Sequence, residues 1–240
     1  MRGWLKATIG LAVLAGLLVG ADRIAVGVAE DEAADRLVKS GQMSQRPDVT
    51  IEGFPFLTQA VSKKLDDVRI SSDGLTVRNN GQQVALRSFK AKLSGVEVSD
   101  SLNSATVDSS TGSGVITYQD LAQLLPPASQ LLGGAPLPGG ANSRLSLSYG
   151  GPGKVKASLG PVSVGEATVH NQGNTVTVDG LKLSSLAEMF SGLANRKVEP
   201  AAFTLDSMPA GLKLAAKDGV TPLPEGLQLS FEGKDVKLLG

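Results

Sequence analysis

Polar and apolar residues alternate along most of this chain, and the places where the alternation breaks mark its bends and turns. Val49 and Ile51 alternate with Thr50 and Glu52, as in a strand with one buried face. Gly53 and Pro55 interrupt that pattern, so the strand stops there and Phe54, Phe56 and Leu57 fall where the chain turns. Residues 63–70 read as the next strand, residues 74–77 as another, and Asn79-Asn80-Gly81 as a hairpin turn. A long strand follows over residues 84–98, with its period slipping between Leu86 and Phe89 and again near Gly95. A second long run, residues 102–118, carries Gly112 and Gly114 as bend points. A slip in a two-residue period is the signature of a β-bulge, and bulges bend and twist a sheet. The pattern therefore predicts a β-rich α+β fold with a long, curved antiparallel sheet.

Helical spacing interrupts the strands in three places. Residues 22–39 place Ile24, Val28, Ala34, Leu37 and Val38 loosely on one side of a helix that Ser40-Gly41 ends. Its acidic residues Glu30, Asp31, Glu32 and Asp35 read as a solvated face, since a calcium loop alternates oxygen ligands around a turn. Residues 118–125 form a short apolar helix stopped by Pro126-Pro127. The Pro-, Gly- and Leu-rich loop that follows, to residue 142, has Leu131, Leu132 and Leu137 to tuck against the body or offer to a bilayer. Alternation then resumes around Leu147, Val155, Val164 and Val176, and ends in another short helix over residues 184–193. There Ser185 and Glu188 fit a capping box. Strands followed by a short apolar helix thus occur twice, a weak internal repeat. The tail alternates again from Leu227 to Glu232 and at Val236 and Leu238.

The N-terminus changes the picture from fold to destination. Arg2 and Lys6 precede an apolar run, residues 7–21, the pattern of a secretory signal, and Val19-Gly20-Ala21 is an acceptable cleavage site. The rival is an uncleaved anchor extended by residues 24–29. Either reading predicts export, with residues 1–21 as signal peptide or N-terminal membrane anchor and residues 22–240 as one exported domain. The expected location is the cell envelope, at the outer face of the cytoplasmic membrane or in a periplasm-like space.

Charge and chemistry narrow the function by exclusion. With 23 basic and 23 acidic residues among 240, the chain lacks the basic field that nucleic acid requires. The absence of cysteine removes disulfides, thiolate catalysis and cysteine-based zinc sites. The one histidine, His170, lies on the polar side of a strand, and no Gly-x-Ser-x-Gly elbow offers it a nucleophile. Asp66 and Asp67 are adjacent on a strand and point to opposite faces. The expectation is a protein that is not an enzyme and takes no cofactor or metal. The aliphatic residues are consistent with an apolar groove or with the closed core of a β-sandwich, and alternation alone does not separate the two.

The segment Gly53-Phe54-Pro55-Phe56-Leu57-Thr58-Gln59, with the following Lys63-Lys64-Leu65-Asp66-Asp67-Val68-Arg69-Ile70, resembles the actinobacterial LmeA-type phospholipid-binding family. The resemblance runs from about Leu11 to the C-terminus and is looser over residues 112–153. It implies similarity to tubular lipid-binding proteins, in which a long curved sheet wraps a helix, short helices form a lid, and acyl chains lie in an apolar channel. The implied function is binding of phospholipid at the cell membrane in support of envelope lipid or lipoglycan assembly. The alternative is a membrane-anchored β-sandwich interaction module of the envelope without a lipid cavity. As lipid-binding candidates the large apolar groups outside the strands stand out: Phe54, Phe56, Leu57, Leu121, Leu124, Leu125, Leu186, Met189, Phe190 and Leu193.

Overall fold

Almost every alternating run becomes a strand. The computed structural model describes residues 2–39, 43, 45–79, 82–99, 104–131, 144–180, 200–205 and 208–239. A helix α1 (Arg2–Lys39) leads into β1 (Asp48–Glu52), α2 (Phe56–Ser62), β2 (Lys64–Ser72), β3 (Leu75–Asn79), β4 (Gln82–Val98) and β5 (Ser104–Ile116). After α3 (Tyr118–Leu124) and α4 (Ala128–Leu131) come β6 (Ser146–Gly151), β7 (Lys154–Leu159), β8 (Val162–Gln172), β9 (Thr175–Asp179) and β10 (Ala201–Thr204). The chain closes with β11 (Leu212–Leu214), β12 (Val220–Leu223) and β13 (Gly226–Leu239). The large sheet runs β1-β2-β4-β5-β13-β11, with β3 added to β4 and β12 to β13, and a second sheet runs β10-β9-β8-β7-β6. Every pairing is antiparallel, and the architecture is β-rich α+β with an open large sheet.

Three long strands, β4, β5 and β13, hold the molecule together because each serves two cores. β4 pairs with β3 over its first residues and with β2 from Phe89 onward. The change of partner falls at a register shift between Arg87 and Lys90, where Ser88 takes a φ of 49°. That is the slip read between Leu86 and Phe89. At Gly95, read as a second slip, the backbone takes a φ of 64° but the register with β2 and β5 does not shift. Opposite the shift, a side chain at Gly112 would bring its Cβ to 2.9 Å from the Lys90 carbonyl oxygen, so only glycine fits.

On one side of this bend, Leu86, Ile116, Leu227 and Leu229 pack with Val155 and Val176 of the second sheet, and α3 closes the end. This half is a closed sandwich of two sheets. On the other side, Val68, Val96, Val107 and Val236 pack under Val26 and Ala34 of α1. This half is a helix laid on a sheet.

The face that α1 buries differs from the sequence expectation. Asp22, Val26 and Ala34 are buried and Ala25, Ala29, Ala33 and Leu37 pack against the sheet, whereas Ile24, Val28 and Val38 are exposed. Small alanines let the helix axis approach β1 closely, and that approach wins over the bulk of Ile24 and Val28 on the opposite side. Helix α1 also continues back through the apolar run to Arg2. Among the described residues no helix is long and apolar enough to cross a membrane, and the side chains of residues 2–12 lie outside that description.

Candidate functional site

The strand exit at Gly53 builds one end of the helix-on-sheet half. Gly53 has a φ of 99°, and any side chain there would run into the Gln59 amide. The alternation does not reveal α2, which is only 7 residues long and has no side-chain cap of its own. Its cap comes from elsewhere in the chain: the Leu57 amide donates to Asp22 Oδ1 at 2.8 Å. Asp22 is 2 % exposed and also binds Arg23 at 2.7 Å. Burial pushes its carboxyl up, but the Leu57 amide, Arg23 and the Phe56 amide pull it down further, leaving it below the ordinary carboxylate range. Gln59, also buried, donates to the Glu52 carbonyl and accepts from the Asp66 amide at 2.8 Å. Asp22 and Gln59 thus weld α1, β1, α2 and β2 into one corner. Only Asp22 carried a sequence signal, as the first acid after an apolar run.

Beside that corner the sheet is incompletely covered. Leu65, Ile70, Leu93, Val98, Ala105 and Leu238 are only half-buried where they pack on the second core. Val98, Ala105 and Leu238 are register partners across β4, β5 and β13, so they form one row. Leu93, Ser110 and Gly233 form another. Paired residues share a face, so Ser110 lies on the side that carries Leu93. The Ser110 hydroxyl is buried, with no hydrogen-bond partner among the described residues. A buried hydroxyl without a partner is uncommon in a settled core. An open cleft of about 490 Å³ at the end of the Val98–Ala105 row is lined also by Ser62, Lys63, Ser99 and Ser104. A second, of about 260 Å³, lies on β1, β2 and β4 around Thr50, Arg69 and Lys90.

The apolar candidates divide among different environments. Phe56 is 6 % exposed in the second core, and Leu121 and Leu125 are buried in the first, with Leu124 half-buried against it. Phe54 and Leu57 face outward at 61 % and 40 % exposure, instead of lining a cavity with the others. Of the ten residues expected to line one cavity, these six do not share a wall, because the sheet bend separates α2 from α3. Leu186, Met189, Phe190 and Leu193, and the helix expected over 184–193, lie outside the described residues.

Several of the titratable residues weighed for chemistry hold structural contacts, and His170, among the described residues, does not. His170 is exposed while Ala167 and Val169 beside it are buried, as the alternation indicated. Asp67 accepts from the Ser94 hydroxyl and pairs with Lys92 at 3.2 Å. Asp31 and Asp35 on α1 both bind Arg46, and Glu30 accepts from the Ile51 amide at 2.7 Å. These contacts fasten α1 to β1 and the segment before it.

A helix on an open, bent sheet with half-covered aliphatic rows is a geometry suited to an amphiphile. The family described as LmeA-like phospholipid-binding has a model that matches residues 20–232. The chain belongs to that family. Most of the described structure falls within the match to the LmeA-like family, including the whole of the first core, while Gly233, Val236 and Leu238 at the end of β13 lie just beyond it. Membership supports phospholipid binding. No curated protein and no solved structure matches the chain.

Proposed function

We propose that this protein is an exported phospholipid-binding protein of the cell envelope that holds acyl chains along the α1-facing side of the large sheet, in support of envelope lipid or lipoglycan assembly. The observation that carries the site is the pair of rows Val98–Ala105–Leu238 and Leu93–Ser110–Gly233, whose large side chains are half-covered beside an alanine-faced helix. An acyl chain laid there gains about 0.8 kcal/mol for each methylene it buries. The unpartnered Ser110 hydroxyl supplies one polar contact in an otherwise apolar strip, suited to an ester carbonyl. The apolar run before Asp22 supports export or anchoring at the membrane.

The alternative reading, an envelope interaction module without a lipid cavity, draws on the closed two-sheet half, where Leu121, Val155, Val164 and Leu227 are fully buried. Extraction of the purified protein followed by mass spectrometry separates the two. The lipid reading expects stoichiometric phospholipid, or its uptake from vesicles by lipid-free protein. Protein that neither carries nor acquires phospholipid would leave the interaction module standing.

A further inference from the structure

The strongest feature outside the half-covered rows, the trough in which an acyl chain is proposed to lie, is an exposed apolar surface around the point where α1 leaves the body. Leu17, Leu18 and Val19 are 66 %, 60 % and 45 % exposed. Successive residues on a helix are turned by about 100°, so these three face different sides. The helix is therefore apolar around its circumference just before Asp22, and such a helix belongs in an apolar medium. At its foot, Phe54, Leu57 and Val61 are exposed at 61 %, 40 % and 85 %. The hydrogen bond from the Leu57 amide to Asp22 fixes α2 at the level where the apolar run ends. Arg23 sits at that same level with its guanidinium 5.3 Å from the Phe54 ring centre.

From this we infer that Phe54, Leu57 and Val61 form a docking foot that seats the body on a lipid bilayer, with the segment before Asp22 entering the hydrocarbon. A protein partner, including a second copy of the chain, would need one stripe of the helix, whereas exposure on all sides calls for lipid. The order along the surface is also that of a membrane boundary: apolar helix, then an aromatic ring under a guanidinium, then an ion-paired acid facing the body. The foot is continuous with the rest of α2, whose last residue Ser62 and the following Lys63 line the cleft at the end of the Val98–Ala105 row. Docking by this end presents that cleft to the bilayer as the place where a phospholipid enters. The entry route rests on the proposed lipid binding, but the docking does not.

The chain has no cysteine, so single-site labelling of the full chain tests the foot directly. Leu57→Cys, Val61→Cys and, as a control in the turn between β6 and β7, Pro152→Cys are labelled with an environment-sensitive fluorophore. Each is reconstituted with phosphatidylglycerol/phosphatidylcholine vesicles, with and without brominated acyl chains. Bromine should quench the labels at 57 and 61 at least twofold and leave the label at 152 unchanged. Equal response at all three sites overturns the foot. So does quenching at 61 that depends on protein concentration and not on bromine, which would assign the surface to a second copy. Phospholipid analysis of the same unlabelled protein keeps the two ideas apart. Bound phospholipid without bromine quenching at 57 and 61 removes the foot and leaves lipid binding. Quenching without bound or acquired phospholipid keeps the foot and removes the trough and its entry route.

Discussion

Single side chains in this protein divide into those that complete a core and those left with something to do. Phe56 belongs to the first kind and Leu57, its neighbour, to the second. Phe56→Asp buries a charge without a partner, so it should cost several kcal/mol and leave no cooperative urea transition. Leu57→Asp should unfold at nearly the wild-type midpoint, because its side chain already meets water. Tyr118 donates its hydroxyl to the Leu223 carbonyl at 2.8 Å, and burial, aided by Tyr149 and Glu225, pushes its pKa up to about 12. A phenol that ionises later in the folded protein contributes stability in full below its ordinary pKa of 10.0, and loses it as pH rises toward 12. Tyr118→Phe should cost about 1–3 kcal/mol at neutral pH by stranding that carbonyl, and denaturant melts between pH 9 and 12 should fall less steeply than in the wild type. Ser110→Ala is the converse case. Removing an unpartnered buried hydroxyl should leave the thermal midpoint unchanged or slightly raised, while retained phospholipid, measured by mass spectrometry, should fall.

Elements here depend on groups far away in sequence. Helix α2 has fewer than two turns, and helices that short are marginal unless held. Asp22, 35 residues from Leu57 in sequence, holds its first turn. Because its carboxyl is held below the ordinary 3.8, the stability it contributes is complete above that pH and is lost as pH falls through the lower folded value. Asp22→Asn should therefore lower the midpoint at pH 7 and flatten the acid limb below about pH 4, read by thermal unfolding across that range. At the end of α3, Arg144 donates to the Gln123 and Leu125 carbonyls at 3.0 and 3.1 Å, another cap supplied from a distant residue. The bend in the large sheet is equally specific. Gly112→Val forces atoms against the Lys90 carbonyl and should destabilise by about 1–3 kcal/mol, with the loss seen in chemical denaturation.

At the scale of the molecule, one set of long strands joins a closed sandwich to a half-covered helix-on-sheet. The closed half supplies rigidity: Leu121→Ala, in a side chain with no exposed surface, should cost about 2–5 kcal/mol and should not by itself alter which lipid is bound. The half-covered side has the spare apolar surface, and the end bearing Phe54, Leu57 and Val61 points that surface toward its proposed source of lipid.

The sequence by itself determined β1 to β9 and β13, the hairpin after β3, the slip at Arg87–Lys90 in β4 and helix α3, because two-residue and helical periods are local properties of the chain. It did not mark the short strands β10, β11 and β12. The family was legible as well, in the Gly-Phe-Pro-Phe turn and the strand after it. Only the tertiary structure decided which face of α1 is buried, since alanines gain by close approach what isoleucine and valine would gain by bulk. It alone produced α2, whose cap is Asp22, and it alone turned Phe54 outward while burying Phe56. The sequence marked large apolar residues as one lipid wall because size is visible in a sequence and separation in space is not. The bend of β4, β5 and β13 set Phe56 in one core and Leu121 and Leu125 in the other, and left Leu65, Ile70, Leu93 and Val98 on the α1 side half-covered.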